Sequence, residues 1–267
     1  TDLSNSSNAS GIREIDISMA IKFHEENTLF VDARSEEYLY DGIIPGSIYS
    51  DDIDIYNRNK YSVECINDKH IFYHFDSYGR LHSNFTILKS FIRKNCLLID
   101  GSETCEIDIS NSQPLFLSKL IKDSESKWVD ENEIELFNFL VRNGKYYQYL
   151  LDNLNIKDKG DAKELTYKVL FGKNYKNCKY SKMFSTLFPT ILNFIRLYKR
   201  EKSDYKSLAY TLQRMESNFV FNKLIRKIMT IDSDIKIVTV HDSIIIDVQY
   251  RNIVTQIFNS ELDNYFN

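Results

Sequence analysis

Two aspartates stand beside strand-like apolar runs that lie far apart in the chain. Asp108 falls within Cys105-Glu106-Ile107-Asp108-Ile109-Ser110-Asn111-Ser112-Gln113, and Asp242 within Val238-Thr239-Val240-His241-Asp242-Ser243-Ile244-Ile245-Ile246-Asp247. Carboxylates of this kind are the ligands that a hard divalent cation takes, and two of them brought together suit two-metal chemistry. Between them Lys159, Lys163, Tyr167 and Phe171-Gly172 recur every four residues, which aligns two cations and two rings along one helical stripe. Metal-binding carboxylates and a helix whose cations can hold a triphosphate are the parts of a nucleotidyl-transfer site.

Each of these residues also has a plainer role open to it. An aspartate at a strand end caps turns, lysines at helical spacing decorate a solvated face, and His241 at a hairpin tip can simply bond backbone. The combination is more specific than its members. Strand alternation puts Asp108 on the face of Glu106 and Ser110, and Asp158 or Asp161 is placed to cap the helix that carries the stripe. Gly172 is expected to end that helix in a left-handed cap.

The elements that must position these groups are legible as periodicities. Residues 1–10, rich in Ser and Asn, read as a disordered lead-in, followed by a helix-like Ile17–His24, a strand-like Thr28–Val31 and polar linking sequence to about Lys69. Ile71–Phe75 and Cys105–Ile109 read as strands, with a short helix around Leu88–Ile92 between them. Helices are predicted over Leu115–Ile121, Glu133–Arg142, Tyr146–Leu151, Asp161–Phe171, Phe184–Tyr198 and Tyr205–Met229. Ile235–Val240 and Ile244–Val248 form a tight hairpin about His241-Asp242-Ser243, and a helix from Arg251 to Phe266 closes the pattern.

Composition bounds the class. The 267 residues are 43% hydrophobic and 13% aromatic, with only eight Gly and three Pro, which fits a packed, helix-rich globule. A net charge of −4 argues against coating nucleic acid by bulk charge, so any such contact needs a local groove. Eight lysines between Lys157 and Lys182, and the basic run Arg196–Lys206, offer one, although either run can be a solvated face. Four cysteines without CxxC spacing and five histidines argue against a structural zinc site or disulfide framework. No run reaches the ~18 apolar residues of a membrane span and no signal peptide is read, so the expected location is cytoplasmic, with no membrane partner.

The ordered set resembles the palm-and-fingers core shared by family A DNA polymerases and phage-type single-subunit RNA polymerases. Asp108-Ile109-Ser110-Asn111-Ser112-Gln113 resembles their motif A, Lys159, Lys163, Tyr167 and Phe171-Gly172 their fingers helix, and His241-Asp242 their motif C hairpin. Asp76-Ser77-Tyr78-Gly79-Arg80 is similar to the Asp-x-x-Gly-Arg element of the RNA polymerases, which touches the template hybrid. The resemblance covers about residues 71–250. It implies an α+β palm-type polymerase core with a small antiparallel sheet and a helical fingers region. It divides the chain into a partly disordered N-terminal region (1–70), a first palm part (71–125), fingers (126–205) and a second palm part (206–267).

By the same resemblance, Asp108 and Asp242 are the catalytic residues and hold two Mg²⁺ ions, with Mn²⁺ as a substitute. Lys159, Lys163, Tyr167, Phe171 and Gln113 line the nucleotide, while Gly79, Arg80, Gln213 and His241 face template or hybrid. The implied partners are a nucleic acid template, DNA first, nucleoside triphosphates and an accessory protein subunit. Several positions depart from the pattern: Lys159 replaces an Arg, Phe171 a Tyr, and Arg214-Met215-Glu216 after Gln213 do not match. The fingers-to-hairpin spacing is short, and the chain is expected to lack room for an exonuclease domain and for a full thumb. Gln113 and Ser243 stand where the DNA polymerases usually carry Glu, and together with Asp76–Arg80 they favour RNA synthesis, as a primase or small RNA polymerase, over a family A-like DNA polymerase.

Two other readings compete. Val31-Asp32-Ala33-Arg34, Glu37-Tyr38 and Gly42-Ile43-Ile44-Pro45-Gly46-Ser47-Ile48 resemble the first half of a rhodanese domain, but His74-Phe75-Asp76 follow the next strand without the nucleophilic Cys, so a degenerate module is expected at most. The remaining alternative is a non-catalytic nucleic-acid-binding module whose acidic residues are structural.

Overall fold

The computed structural model describes residues 30–32, 47–49, 53–125, 127–173 and 178–266. The expected lead-in, the helix at Ile17–His24 and most of the rhodanese-like stretch lie outside them. Two compact units emerge: residues 1–74 with 82–105, and residues 75–81 with 106–267. Among the described residues, no helix is long and apolar enough to cross a membrane.

In the first unit, β1 (Phe30–Asp32) pairs in parallel with β2 (Ser47–Tyr49), Val31 opposite Ile48. Helix α1 (Ile53–Asn67) occupies a stretch expected to be linker; its buried positions include the polar Asn59 and Ser62, so the sequence hides it. Strand β3 (Tyr73–Phe75) forms a hairpin with β4 (Leu81–Ser83), through which the chain passes between the units. Short helices α2 (Asn84–Ile87) and α3 (Ser90–Cys96) follow. The helix expected at Leu88–Ile92 is thus broken at Leu88, which ends α2. Strand β5 (Leu98–Ile99) then turns into β6 (Ser102–Asp108).

The second unit is mostly helical. It contains α4 (Ser112–Asp123), α5 (Glu131–Arg142), α6 (Tyr146–Asn153), α7 (Lys159–Phe171), α8 (Lys179–Ser185), α9 (Pro189–Glu201) and α10 (Ser207–Asn218). Helix α10 runs through a π-helical segment, Phe219–Ile225, into α11 (Arg226–Ile231). The hairpin β7 (Val238–Val240) and β8 (Ser243–Asp247) precedes α12 (Arg251–Phe266). Strand order is β5-β6-β8-β7, so β8 lies inside the sheet. Its residues Ser243 to Asp247 are all buried, as a strand covered on both faces requires.

The single helix expected over Phe184–Tyr198 is two. Pro189 starts α9 because it has no N–H to lose at a first helical position, and it bars the residue before it from helical geometry. Glu133 then caps α9, accepting from the backbone N–H groups of Thr190 at 3.1 Å and Ile191 at 2.7 Å. Phe116, Phe219 and Phe266 form one aromatic core, with Phe116 and Phe266 ring centroids 5.3 Å apart. Phe137, Tyr146, Phe184 and Phe188 form a second beneath the α7 region.

Gly172 at the end of α7 has φ −73°, so it is no left-handed cap. Its lack of a Cβ serves close approach instead, since that atom would lie 2.3 Å from the Lys168 carbonyl oxygen.

Candidate active site

Strand β6 delivers Asp108 at its last position, exposed, and the chain reverses at once into α4. Asn111 makes the reversal possible by adopting a left-handed φ of 55°, which Asn tolerates better than most residues. Its side-chain amide donates to the Val141 carbonyl at 3.3 Å and secures the turn. The reversal leaves Ser112 and Gln113 buried in the first turn of α4.

Asp242 occupies the two-residue loop between β7 and β8, where Val240 faces Ser243. Its neighbour His241 holds a left-handed φ of 56°, a conformation costing a side chain about 1 kcal/mol. The Ile109 N–H donates to the Asp242 carbonyl at 3.3 Å, a main-chain bond that brings the end of β6 to the hairpin tip. A second tie runs beside it: the Ser243 hydroxyl donates to Glu106 Oε1 at 2.6 Å. The two aspartates are therefore bracketed by bonds between their own neighbours.

Beneath them lies Glu216, contributed by α10 and only 2% exposed. Its Oε1 accepts from Arg80 Nη2 at 2.9 Å and its Oε2 from the Ser112 hydroxyl at 2.7 Å, with Gln113 Nε2 as a third donor. Gln113 Oε1 is buried and has no hydrogen-bond partner among the described residues. Burial first, and then the charges of Glu216 and Asp108, push the Asp242 carboxyl up to about 7, against hydrogen bonds from its own backbone and from Ser112.

Arg80 comes from a tight turn that α10 clasps. Asp76 Oδ1 accepts from the N–H groups of Tyr78 at 2.8 Å and Arg80 at 3.0 Å, and Gly79 adopts φ 83°. The ring of Tyr78 stacks on Tyr210 at 3.6 Å, Arg214 donates to the Ser77 carbonyl, and the Ser217 hydroxyl donates to the Gly79 carbonyl. Gln213 sits on this clasping helix, partly exposed.

Helix α7 supplies the remaining residues. Asp158 caps it, accepting from the Asp161 N–H at 3.0 Å, and Ala162, Leu165, Thr166, Val169 and Leu170 are buried. The opposite face presents Lys159, Lys163 and Tyr167 to solvent. Tyr167 stacks on Phe171 with centroids 5.6 Å apart and planes within 13°. Among the described residues no carboxylate pairs with Lys159 or Lys163.

The Tyr167 phenol is pushed up by burial and by the charges of Asp242, Glu216 and Asp108, with Arg80 opposing. Residues of four separate segments thus share one electrostatic field. Tyr147 of α6 joins them through a hydrogen bond to Tyr167, and burial raises its hydroxyl as well. Asp108, Asp242, Tyr167, Arg80 and Gln113 are thus brought together; Lys163 and Lys159 follow at one and two turns up α7.

Glu216, Ser112 and Tyr147 were not anticipated. Glu216 had a signal: it falls on the same helical stripe as the buried Leu208 and Leu212, where a carboxylate must have partners.

Among the described residues no group of three or more His, Cys, Asp or Glu is disposed to hold a metal. Glu216 is committed to Arg80, Ser112 and Gln113, which leaves Asp108 and Asp242. Two carboxylates do not make a closed structural site, but they suit Mg²⁺, which keeps waters and takes substrate phosphates as its other ligands. Their mutual repulsion is what a divalent cation relieves.

No protein-family model matches the chain, and no curated protein matches it. In fold it is similar to the solved POL domain of Pol1 from M. smegmatis, in complex with DNA primer-template and dNTP, at a TM-score of 0.58 and 11% identity. The similarity covers 98% of this chain and 55% of that one, so the chain spans about half the length of its neighbour. At this identity the likeness is one of fold: the chain has the α+β architecture of a polymerase domain.

Proposed function

We propose that the chain is a template-directed nucleotidyltransferase that uses nucleoside triphosphates. The observation that carries this reading is the convergence of Asp108 and Asp242 at one partly buried site, where burial first and then the charges of Glu216 and Asp108 push Asp242 up to about 7 and the same carboxylates act on Tyr167 of the cation-bearing helix. In this reading residues 71–125 and 206–267 act as palm and 126–205 as fingers.

Asp108 and Asp242 would hold two Mg²⁺ or Mn²⁺ ions. Bound there, the metals would activate a 3′ hydroxyl and stabilise departing pyrophosphate. Lys163 holds the triphosphate, Lys159 adds a second point charge, and Tyr167 and Phe171 stack against base or sugar. Gln113, with its buried free oxygen, faces the nucleotide, while Gly79, Gln213 and His241 border the template. Arg80 acts there through Glu216, whose carboxylate occupies its guanidinium. An accessory subunit would supply template grip that a chain spanning about half of its structural neighbour can lack.

RNA is the proposed product, supported by Ser243 after the hairpin aspartate and by the clasped Asp76–Arg80 turn. DNA synthesis is the second reading, favoured by the DNA primer-template and dNTP held by the structural neighbour. The deciding experiment supplies Mg²⁺, a single-stranded DNA template and either ribo- or deoxyribonucleotides, with and without primer, and sizes the labelled products. Unprimed ribonucleotide products support the first reading, and primer extension with deoxyribonucleotides the second. Synthesis that survives Asp242→Asn would overturn both.

A further inference from the structure

Lys199, near the C-terminal end of α9, is only 2% exposed, although lysine is among the residues least often fully buried. Its Nζ donates to the Val169 carbonyl at 2.9 Å and to the Gly172 carbonyl at 2.8 Å. Both belong to the C-terminal end of α7, where the last carbonyls lack intrahelical partners and the negative end of the helix dipole gathers. Gly172 provides no left-handed cap there, so the end of α7 is secured by a cation reaching across from the neighbouring helix.

The carbonyls held in this way lie in the same turn as Phe171, whose ring stacks on Tyr167. Burial lowers the Lys199 ammonium to about 8, which leaves it charged at neutral pH but at a cost that an apolar side chain of similar length would not incur. A purely packing role would be better filled by methionine.

We propose that Lys199 is a positioning residue that fixes the C-terminal half of α7, and with it the Tyr167–Phe171 ring pair, so that a nucleoside triphosphate meets a preset helix face. The inference rests on the nucleotidyl-transfer reading of α7. Lys199 touches neither substrate nor metal in this scheme and acts through the helix it holds.

The test compares Lys199→Met and Lys199→Gln with Lys202→Met, which removes an exposed lysine at the end of the same helix. Hydrogen exchange over residues 168–173 reports the helix end directly. Binding of a nucleoside triphosphate with Mg²⁺, measured without turnover, and KM against kcat report its consequence.

For Lys199→Met the exchange should accelerate by about tenfold in that segment alone. Triphosphate Kd and KM should rise about fivefold to twentyfold, with kcat and template affinity within about twofold. Lys199→Gln, which keeps an N–H donor group but loses the charge and some reach, should fall between Met and wild type, and it decides the matter if the Met variant does not fold. Lys202→Met should match wild type. A lowered melting temperature with unchanged triphosphate Kd would overturn the proposal, as would unchanged exchange. Failure of the wild-type protein to bind triphosphate or synthesise would instead refute the nucleotidyl-transfer reading, while exchange would still show whether Lys199 fixes α7.

Discussion

Arg80 and Glu216 form an ion pair at 2.9 Å in which the carboxylate side chain is 2% exposed and the guanidinium 23%. The asymmetry sets what each substitution does. Arg80 can regain water if its partner is lost, whereas Glu216 cannot, and Glu216 also anchors Ser112 beneath the hairpin aspartate.

Removing Arg80 should therefore be the more damaging change. Arg80→Met leaves a buried carboxylate without its cation, and denaturant unfolding should show a loss of about 3–5 kcal/mol, while Glu216→Gln, which keeps the shape and the hydroxyl contact, should cost about 1–3 kcal/mol. The double variant should be less destabilised than the sum of the two singles, since no isolated buried charge remains. Additive losses would show that the pair is not energetically coupled.

The metal-free protein should lose stability as pH rises through neutrality. The folded carboxyl of Asp242 lies at about 7 and its unfolded counterpart near 3.9. Between these values the folded state holds the extra proton, so the stabilisation is complete below about 4 and is lost as pH passes 7. Asp242→Asn should remove this slope and raise the melting temperature at pH 8 by about 2–6 °C in chelator. Added Mg²⁺ should stabilise the wild type at pH 8 and leave the variant unmoved. Equal pH profiles for the two proteins would show that Asp242 is not the strained group.

Lys163 and Lys159 should separate by distance along α7. Lys163, one turn from Tyr167, should carry the triphosphate, so Lys163→Ala should raise the nucleotide KM by about tenfold and leave template affinity within about twofold. Lys159→Ala should do less. A defect confined to template binding would move Lys163 out of the nucleotide site.

Much of this arrangement was written in local patterns. The β-branched runs around His241-Asp242 announced a hairpin, and the four-residue spacing from Lys159 to Phe171 announced one exposed face of a helix; both appear in the structure. Gly172 departs from the expectation because a glycine after a helix usually signals left-handed φ, whereas here it admits close approach to Lys168. Helix α1 is hidden in the sequence because two of its buried positions, Asn59 and Ser62, are polar, so no continuous apolar stripe shows. Glu216 departs from the family pattern, yet its place on the stripe of Leu208 and Leu212 marks it as buried. Its role becomes visible only when Arg80 and Ser112, remote in sequence, are folded against it.

The bond from Ile109 N–H to the Asp242 carbonyl involves no side-chain atom of either aspartate. The frame that brings the two strands together is thus indifferent to whether the carboxylates are present. A copy deprived of them would keep its shape and its lysine-bearing helix and, on the proposed function, its hold on a template. If the protein synthesises nucleic acid as proposed, such a copy mixed with intact ones should act as a competitor that occupies template without extending it, and output should fall with its share of the population rather than with the loss of active protein alone.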